Sequence, residues 1–296
     1  MEVYQNKFNN YNTIFSILSK SLDSREFKLI LQPTLFSEFN LGVKKVQDVI
    51  DTEVKKLNGS FKSSEPDLKL ERRKTYYLDT PDFRLNSKNF FLRIREDKNS
   101  SNYDVTLKCR HPDRYISSAY DLSDLDLKKY HPKFEEDVIA PHISKFSMSV
   151  KFQQEQEPKL DSMAKLRSMF PGLISNGLGH GKLLKVNNFE AKEISVKLGK
   201  IVYDGKKGNN KDDNKVTLFL NLWYIKEDES MPVIVEFTYS YSAIRPKSDK
   251  KYKLIEEFPL SIVRNTYKFY KSLQKTRLAD LCGSKTKTEF AYTYKQ

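Results

Sequence analysis

The chain has 296 residues, of which 38% are hydrophobic, and this is enough for one large domain or two small ones. Lysine and arginine total 52 against 39 aspartate and glutamate residues, which gives a formal net charge of +13. The excess favours anionic partners such as nucleotides, polyphosphate or nucleic acid, although a lysine-rich solvated surface would carry the same charge. The two distant cysteines argue against a disulfide scaffold, and the spacing of the four histidines argues against a zinc finger. No apolar run approaches the roughly 18 residues of a membrane span, so we expect a cytoplasmic protein without a membrane partner.

The first predicted elements are a helix, a strand and a second helix. Apolar residues near helical spacing predict a short helix over residues 11–22. Over residues 24–31 the period changes to two, because Phe27 and Leu29 alternate with polar positions, and this pattern predicts a strand with one polar face. Residues 41–57 return to helical spacing and predict a second helix.

Short strands dominate the rest of the chain. They are separated by turn-rich segments rather than by regular helices, which indicates antiparallel pairing instead of a parallel βαβ arrangement. The predicted strands cover residues 74–79, 90–95, 103–110, 134–139, 193–203, 216–225 and 232–240.

The remaining segments differ from this strand pattern. Residues 140–182 include apolar positions at helical spacing, so we interpret them as a helical insertion within the same domain. Residues 204–214 predict a polar hairpin loop, and residues 254–273 an amphipathic helix. We therefore expect one α+β domain, predominantly antiparallel β, over residues 1–282, followed by a polar and poorly ordered tail over 283–296.

Charged residues recur at every second position within several of these strands. A charge in an otherwise apolar strand is costly if it faces a dry core, so these faces are either solvated exterior or the lining of a polar cavity. For a single strand the exterior is the more common choice. Because several strands repeat the pattern, a shared polar interior inside a closed barrel becomes the better interpretation. The residues concerned are Glu26 and Lys28, Arg93 and Arg95, Thr106, Lys108 and Arg110, and Glu236.

The same residues carry a family resemblance. The segments Tyr76-Tyr-Leu-Asp-Thr80, Phe91-Leu-Arg-Ile-Arg95 and Val105-Thr-Leu-Lys108 resemble, in order and spacing, three strands of the CYTH family of triphosphate tunnel metalloenzymes. Ser24-Arg-Glu-Phe-Lys28 stands in the place of that family's opening E-x-E-x-K strand. Val235-Glu-Phe-Thr238 stands in the place of its closing E-x-E strand.

The resemblance implies an eight-stranded, tunnel-like β-barrel with flanking helices that binds a triphosphate inside. Carried over position by position, it implies phosphate binding by Lys28, Arg93, Arg95, Lys108 and Arg110. It implies Mg²⁺ or Mn²⁺ binding by Glu26 and Glu236, with Glu135 as a third acid whose phase relative to Glu136 the sequence leaves open. The catalytic set would be Glu26, Lys28, Arg93 and Arg95.

Three positions depart from the family pattern. Ser24 and Thr238 replace acids of the opening and closing motifs, and Asn221 stands where many members have an aspartate. Because hard divalent ions prefer anionic oxygen ligands, each replacement should weaken metal binding. The cationic positions are retained.

Two classes of function follow from these observations. The first is a metal-dependent phosphohydrolase acting on inorganic triphosphate, thiamine triphosphate or a nucleoside triphosphate. The second is a tunnel that binds a nucleotide or polyphosphate without turning it over, as the neutral replacements suggest. Adenylate cyclase and RNA 5′-triphosphatase activities are further alternatives on the same scaffold, and nucleic-acid binding is permitted by the charge but shown by no recognition motif.

Overall fold

The computed structural model describes residues 21–64, 68–100, 102–122, 132–203, 215–225, 230–243, 258–280 and 285–295. The helices are α1 (Phe39–Lys55), α2 (Arg84–Ser87), α3 (Arg114–Ala119), α4 (Met163–Met169), α5 (Leu260–Leu273) and α6 (Lys287–Thr293). The strands of the first half are β1 (Ser24–Leu31), β2 (Gly59–Ser63), β3 (Leu70–Asp79), β4 (Phe90–Asp97), β5 (Tyr103–His111) and β6 (Lys133–Ile139). Those of the second half are β7 (Ile143–Gln154), β8 (Leu184–Lys185), β9 (Ala191–Tyr203), β10 (Lys215–Tyr224) and β11 (Ile234–Ser242).

The strands form one sheet that closes on itself. Within the described residues, the order β9-β10-β11-β1-β6-β7-β5-β4-β3 returns to β9 through a further β9–β3 pairing, so nine strands make a ring. All neighbours in the ring are antiparallel except β1 and β6, which run parallel. β2 pairs with β9 and β8 with β3 outside this ring.

The apolar core lies outside the ring, between the sheet and the helices. On β1, Phe27 and Leu29 are buried against the same cluster as Ile50 of α1 and Phe269 of α5. A second cluster covers β4, β5 and β7 and includes Leu166 of α4. Because side chains alternate along a strand, burying one face under helices points the other face into the ring. The period-two charges of the sequence therefore line its interior.

The predicted fold class, a mostly antiparallel α+β ring with flanking helices, is confirmed. The ring has one strand more than the predicted eight, and the additional strand is β7. The helical insertion predicted over residues 140–182 is wrong at its start, because residues 143–154 form strand β7. Phe146, Met148 and Val150 alternate with small or charged residues and pack against the second cluster. Helical structure in that segment begins at Met163 and ends with a 3-10 turn over Pro171–Asn176.

The tail also differs from the expectation. Residues 287–293 form helix α6, which begins with a capping box between Thr286 and Glu289, so this part of the predicted tail is ordered. The predicted helix over 11–22 lies outside the described residues except at its last two positions, and the predicted loop over 204–214 lies outside them altogether. The described part of the last long helix, α5, begins at Leu260. None of the helices in the described ranges is both long and apolar enough to span a bilayer.

Candidate functional site

A cavity of about 500 Å³ occupies the interior of the ring, and we call it the tunnel. Every strand of the ring contributes side chains to its wall, and so does the segment that begins α6. This volume is within the range of small-molecule sites. Cationic side chains outnumber acidic ones on the wall: Lys28, Arg73, Arg93, Arg95, Lys108, Arg110, Lys145 and Lys287 against Glu26, Glu71, Glu135, Asp137 and Glu236.

The structure brings all the predicted site residues together on this wall. They are Glu26, Lys28, Arg93, Arg95, Lys108, Arg110, Glu135 and Glu236. The open question about β6 is also answered, because Glu135 lines the tunnel whereas Glu136 points outward and forms an ion pair with Arg25 at 2.8 Å. The neutral replacements Asn221 and Thr238 face the same cavity.

Asp137 organises the cations on one side of the tunnel. Its side chain is 2% exposed, and its carboxylate lies 3.0 Å from the Nζ atom of Lys28, 3.1 Å from that of Lys108 and 2.9 Å from Nη2 of Arg110. Burial raises the pKa of Asp137, but the cations outweigh this effect and hold the pKa well below its usual value. Asp137 also changes the pKa of Lys28. Burial lowers this pKa, but the negative charges of Asp137 and Glu26 have the larger effect, so the pKa is raised overall.

Glu193 organises a second cluster on β9. Its fully buried carboxylate binds Nη2 of Arg95 through both oxygens, at 3.0 and 3.1 Å, and accepts a hydrogen bond from the indole N–H of Trp223 at 2.6 Å. Arg73 Nη1 lies 3.7 Å away. Burial raises the pKa of Glu193, but Arg95 and the neighbouring cations lower it strongly overall. The carboxylate is therefore charged and fixes the position of Arg95.

Arg93 is the cation that lacks such a partner. It lies on β4 between Tyr77 of β3 and Thr106 of β5, and it faces the tunnel. Its buried Nε atom has no hydrogen-bond partner among the described residues. Burial and the neighbouring charge of Arg95 lower the pKa of Arg93. An arginine remains charged in proteins even so, and Glu193, which raises this pKa, does not offset the cost of burying the charge. An anion in the tunnel would remove this cost.

The three predicted metal ligands do not form a metal site in this arrangement. Each is bound by a lysine: Glu26 by Lys28 at 2.9 Å, Glu135 by Lys133 at 2.6 Å and Glu236 by Lys287 at 2.9 Å. Within the described part of the chain, no group of three or more histidine, cysteine, aspartate or glutamate side chains is placed to hold an ion.

The strand register explains part of this separation. Glu236 lies opposite Ile30 on β1, four residues from Glu26, or about 13 Å along the strand. Glu26 and Glu236 are therefore too far apart to bind the same divalent ion, and we assign no part of a reaction to an ion shared by them.

Sequence reasoning missed four residues that shape the site: Asp137, Glu193, Arg73 and Lys287. Asp137 had a visible signal, because it follows Glu135 at the strand period of two. Glu193 and Arg73 meet through the β3–β9 pairing that closes the ring, and Lys287 arrives from the tail. Those long-range contacts leave no local pattern in the sequence.

The comparisons with known proteins agree with the resemblance stated above. Residues 50–148 match the family model described as the CYTH domain, which confirms that resemblance over about a third of the chain. No curated protein matches the chain.

Two of the similar solved structures illustrate the level of likeness. One is a candidate adenylate cyclase from Bacillus halodurans, with 14% identity, coverage of 90% of this chain and 95% of that chain, and a TM-score of 0.40. The other is the candidate adenylyl cyclase HpAC1 from Hippeastrum, described as having a dominant triphosphatase activity, with 14% identity, coverage of 74% and 80%, and a TM-score of 0.34. Likeness at this level does not assign an activity to this chain.

Proposed function

We propose that this chain, whose residues 50–148 match the CYTH domain, binds the triphosphate group of a small molecule inside the tunnel. The observation that carries the proposal is Arg93, a half-buried cation that faces the tunnel and whose buried Nε atom has no hydrogen-bond partner among the described residues. On the tunnel wall as a whole, eight cationic side chains stand against five acidic ones, so the wall carries a net positive charge. A chain of phosphates would supply several negative charges along both sides.

Calorimetric titration of the purified chain with tripolyphosphate tests this proposal. Replacing Arg93 with methionine should weaken binding by roughly 10- to 100-fold, because a hydrogen bond to a charged group contributes about 1.5–3 kcal/mol. Arg264→Met, which removes an exposed arginine on α5, is the matched control and should leave the affinity unchanged. Equal affinities for the wild type and Arg93→Met would refute the proposed role of the tunnel.

Hydrolysis of the bound triphosphate is the second candidate function, and one observation favours it. Glu26, Glu135 and Asp137 lie on the neighbouring strands β1 and β6, so three carboxylates face the same side of the tunnel as Lys28 and Lys108. The cations would bind the phosphate oxygens and stabilise the charge that develops when water attacks the terminal phosphorus in line. In this candidate the chain would act in the cytoplasm and would require Mg²⁺ or Mn²⁺. To bind such an ion, Glu26 and Glu135 would have to release their lysine partners, Lys28 and Lys133.

Phosphate release from tripolyphosphate, thiamine triphosphate and ATP, with and without Mg²⁺ or Mn²⁺, separates the two candidates. Release that depends on Glu26 and on Arg93 would support hydrolysis, whereas cyclic AMP formed from ATP would indicate cyclisation instead. If the chain binds tripolyphosphate through Arg93 but turns over none of these substrates, the tunnel is a binding site without hydrolytic activity.

A further inference from the structure

The segment that begins helix α6 reaches the tunnel wall, where Thr286, Lys287 and Thr288 are among the lining residues. The helix is fixed by contacts to three separate parts of the chain. Tyr292 donates a hydrogen bond to Asp79 at the end of β3 (3.0 Å), and the side-chain amide of Asn187 donates to the carbonyl oxygens of Ala291 (3.1 Å) and Tyr292 (2.9 Å). Lys145 of β7 lies 3.6 Å from Glu289. The position of Lys287 is therefore set by the fold.

Lys287 brings its ammonium group to the acids at this end. Its Nζ atom lies 2.9 Å from Oε1 of Glu236 and 3.9 Å from Oε2 of Glu193, and 5.6 Å from the ring centroid of Trp223. The side chain is 12% exposed, so solvent screens these interactions weakly. The ammonium group thus lies beside Glu236, the carboxylate for which the family resemblance implies metal binding.

The residues around Glu236 suit an ammonium group better than a divalent ion. In the register of the sheet, Glu236 lies opposite Asn221 on β10, and Asn221 lies opposite Ser195 on β9. The nearest further acid, Glu193, already binds Arg95 and Trp223. A divalent ion would find one available carboxylate and neutral oxygens, whereas it prefers several anionic ligands. An ammonium group needs only acceptors for its three N–H donors.

We propose that Lys287 is a built-in counter-cation, which takes the place of a divalent metal at the Glu236 end of the tunnel. This inference deepens the proposed function, since a triphosphate bound there would meet a fixed single positive charge rather than an exchangeable ion. It also accounts for the neutral residues at Asn221 and Thr238: an ammonium group does not require the acids that a metal would require at those positions.

The test uses Mn²⁺ alone, with no triphosphate, so it can fail independently of the proposed function. Calorimetry and the electron paramagnetic resonance signal of free Mn²⁺ would be recorded for the wild type, Lys287→Met and the double variant Lys287→Met with Glu236→Gln. We expect Lys287→Met to bind Mn²⁺ at least about tenfold more tightly than the wild type, because the Glu236 carboxylate loses its ammonium partner, and the double variant to lose this increase. Lys285→Met, which removes an exposed lysine two residues away, should gain no site.

Two further variants keep the test decisive if Lys287→Met fails to fold. Lys287→Arg retains the positive charge and should gain no Mn²⁺ site. Glu236→Gln in the otherwise wild-type chain should leave Mn²⁺ binding unchanged, because Lys287 already neutralises that carboxylate. The proposal is overturned if Glu236→Gln removes a Mn²⁺ site from the wild type, or if folded Lys287→Met binds Mn²⁺ as the wild type does.

Discussion

Replacing Asp137 with asparagine tests whether this carboxylate stabilises the buried cations of the tunnel. In the wild type this one buried carboxylate contacts Lys28, Lys108 and Arg110 at 2.9 to 3.1 Å. Asparagine retains the size and an acceptor oxygen but removes the negative charge. The substitution therefore removes the carboxylate that these three cations share, while Glu26 remains 2.9 Å from Lys28 and Glu135 still interacts with Lys108.

The expected loss of stability is large because the group is buried. Removing one partner of a buried ion pair typically costs about 3–5 kcal/mol, since the remaining charge is left uncompensated. Asp104→Asn on β5 is the matched control, because Asp104 pairs with Lys151 at 2.8 Å and the lysine side chain is half exposed. A pair exposed in this way contributes about 0–1 kcal/mol.

Urea unfolding followed by circular dichroism, with and without tripolyphosphate, is the assay. We expect Asp137→Asn to unfold at a lower urea concentration than the wild type, and tripolyphosphate to restore more stability to it than to the wild type. The phosphates would then supply the missing negative charge, and ligand that binds only the folded state stabilises it by mass action. Equal stability of Asp137→Asn and the wild type, or no larger gain with tripolyphosphate, would refute this account of the tunnel.

The same variant has a defined pH signature. The pKa of Asp137 is held well below its usual value in the folded chain, and the unfolded value is about 3.9. A carboxylate with a depressed folded pKa contributes stability that is present above the unfolded pKa and lost as the pH falls below it. The difference in stability between the wild type and Asp137→Asn should therefore be greatest near neutral pH and shrink below about pH 4.

Three further outcomes are expected. The chain has one tryptophan, Trp223, whose indole N–H bonds Glu193, so Glu193→Gln should shift the tryptophan emission and weaken tripolyphosphate binding; unchanged emission would contradict the contact. Glu135 and Glu136 are adjacent but face opposite sides of β6, so Glu135→Gln should change tripolyphosphate affinity while Glu136→Gln changes only the urea midpoint. Ile50→Ala in α1 should lower the free energy of unfolding by about 2–5 kcal/mol, without altering affinity in calorimetry, because Ile50 is fully buried outside the ring.

Much of the tunnel wall was predictable because strand geometry is local. Once Arg93 and Arg95 are assigned to a strand, their spacing of two places both on one face, and the same holds for Lys108 and Arg110. The apolar residues between them indicate which face is buried under helices. Strand phase and the family resemblance together therefore identified five of the eight cations that line the cavity, before any pairing between strands was known.

The parts that were missed depend on contacts between distant segments. The alternation over residues 146–152 indicates a strand, whereas the helical spacing farther along residues 140–182 favours an insertion, and the two signals conflict in this segment. Lys287 is different: its helix has seven residues, and it is held by Asp79 and Asn187, which lie far away in the sequence. The packing of α6 against these residues places Lys287 beside Glu236. The residue pattern of β11 alone does not indicate whether Glu236 contacts a metal or a lysine.

The parallel pairing of β1 and β6 has a consequence for how the chain can fold. A closed ring in which every neighbour reverses direction must contain an even number of strands, so a ring of nine needs one parallel pair, and β1–β6 provides it. Arg25 of β1 shows the sequence distances involved, since its partners Glu136 and Tyr241 are 111 and 216 residues away. Such non-local pairing slows folding, because the entropy of closing long loops is lost before the contacts form. During synthesis one edge of β1 therefore stays unpaired until β11 has been made. A chain that ended before Ile234 would leave this edge open to pairing with strands of other molecules.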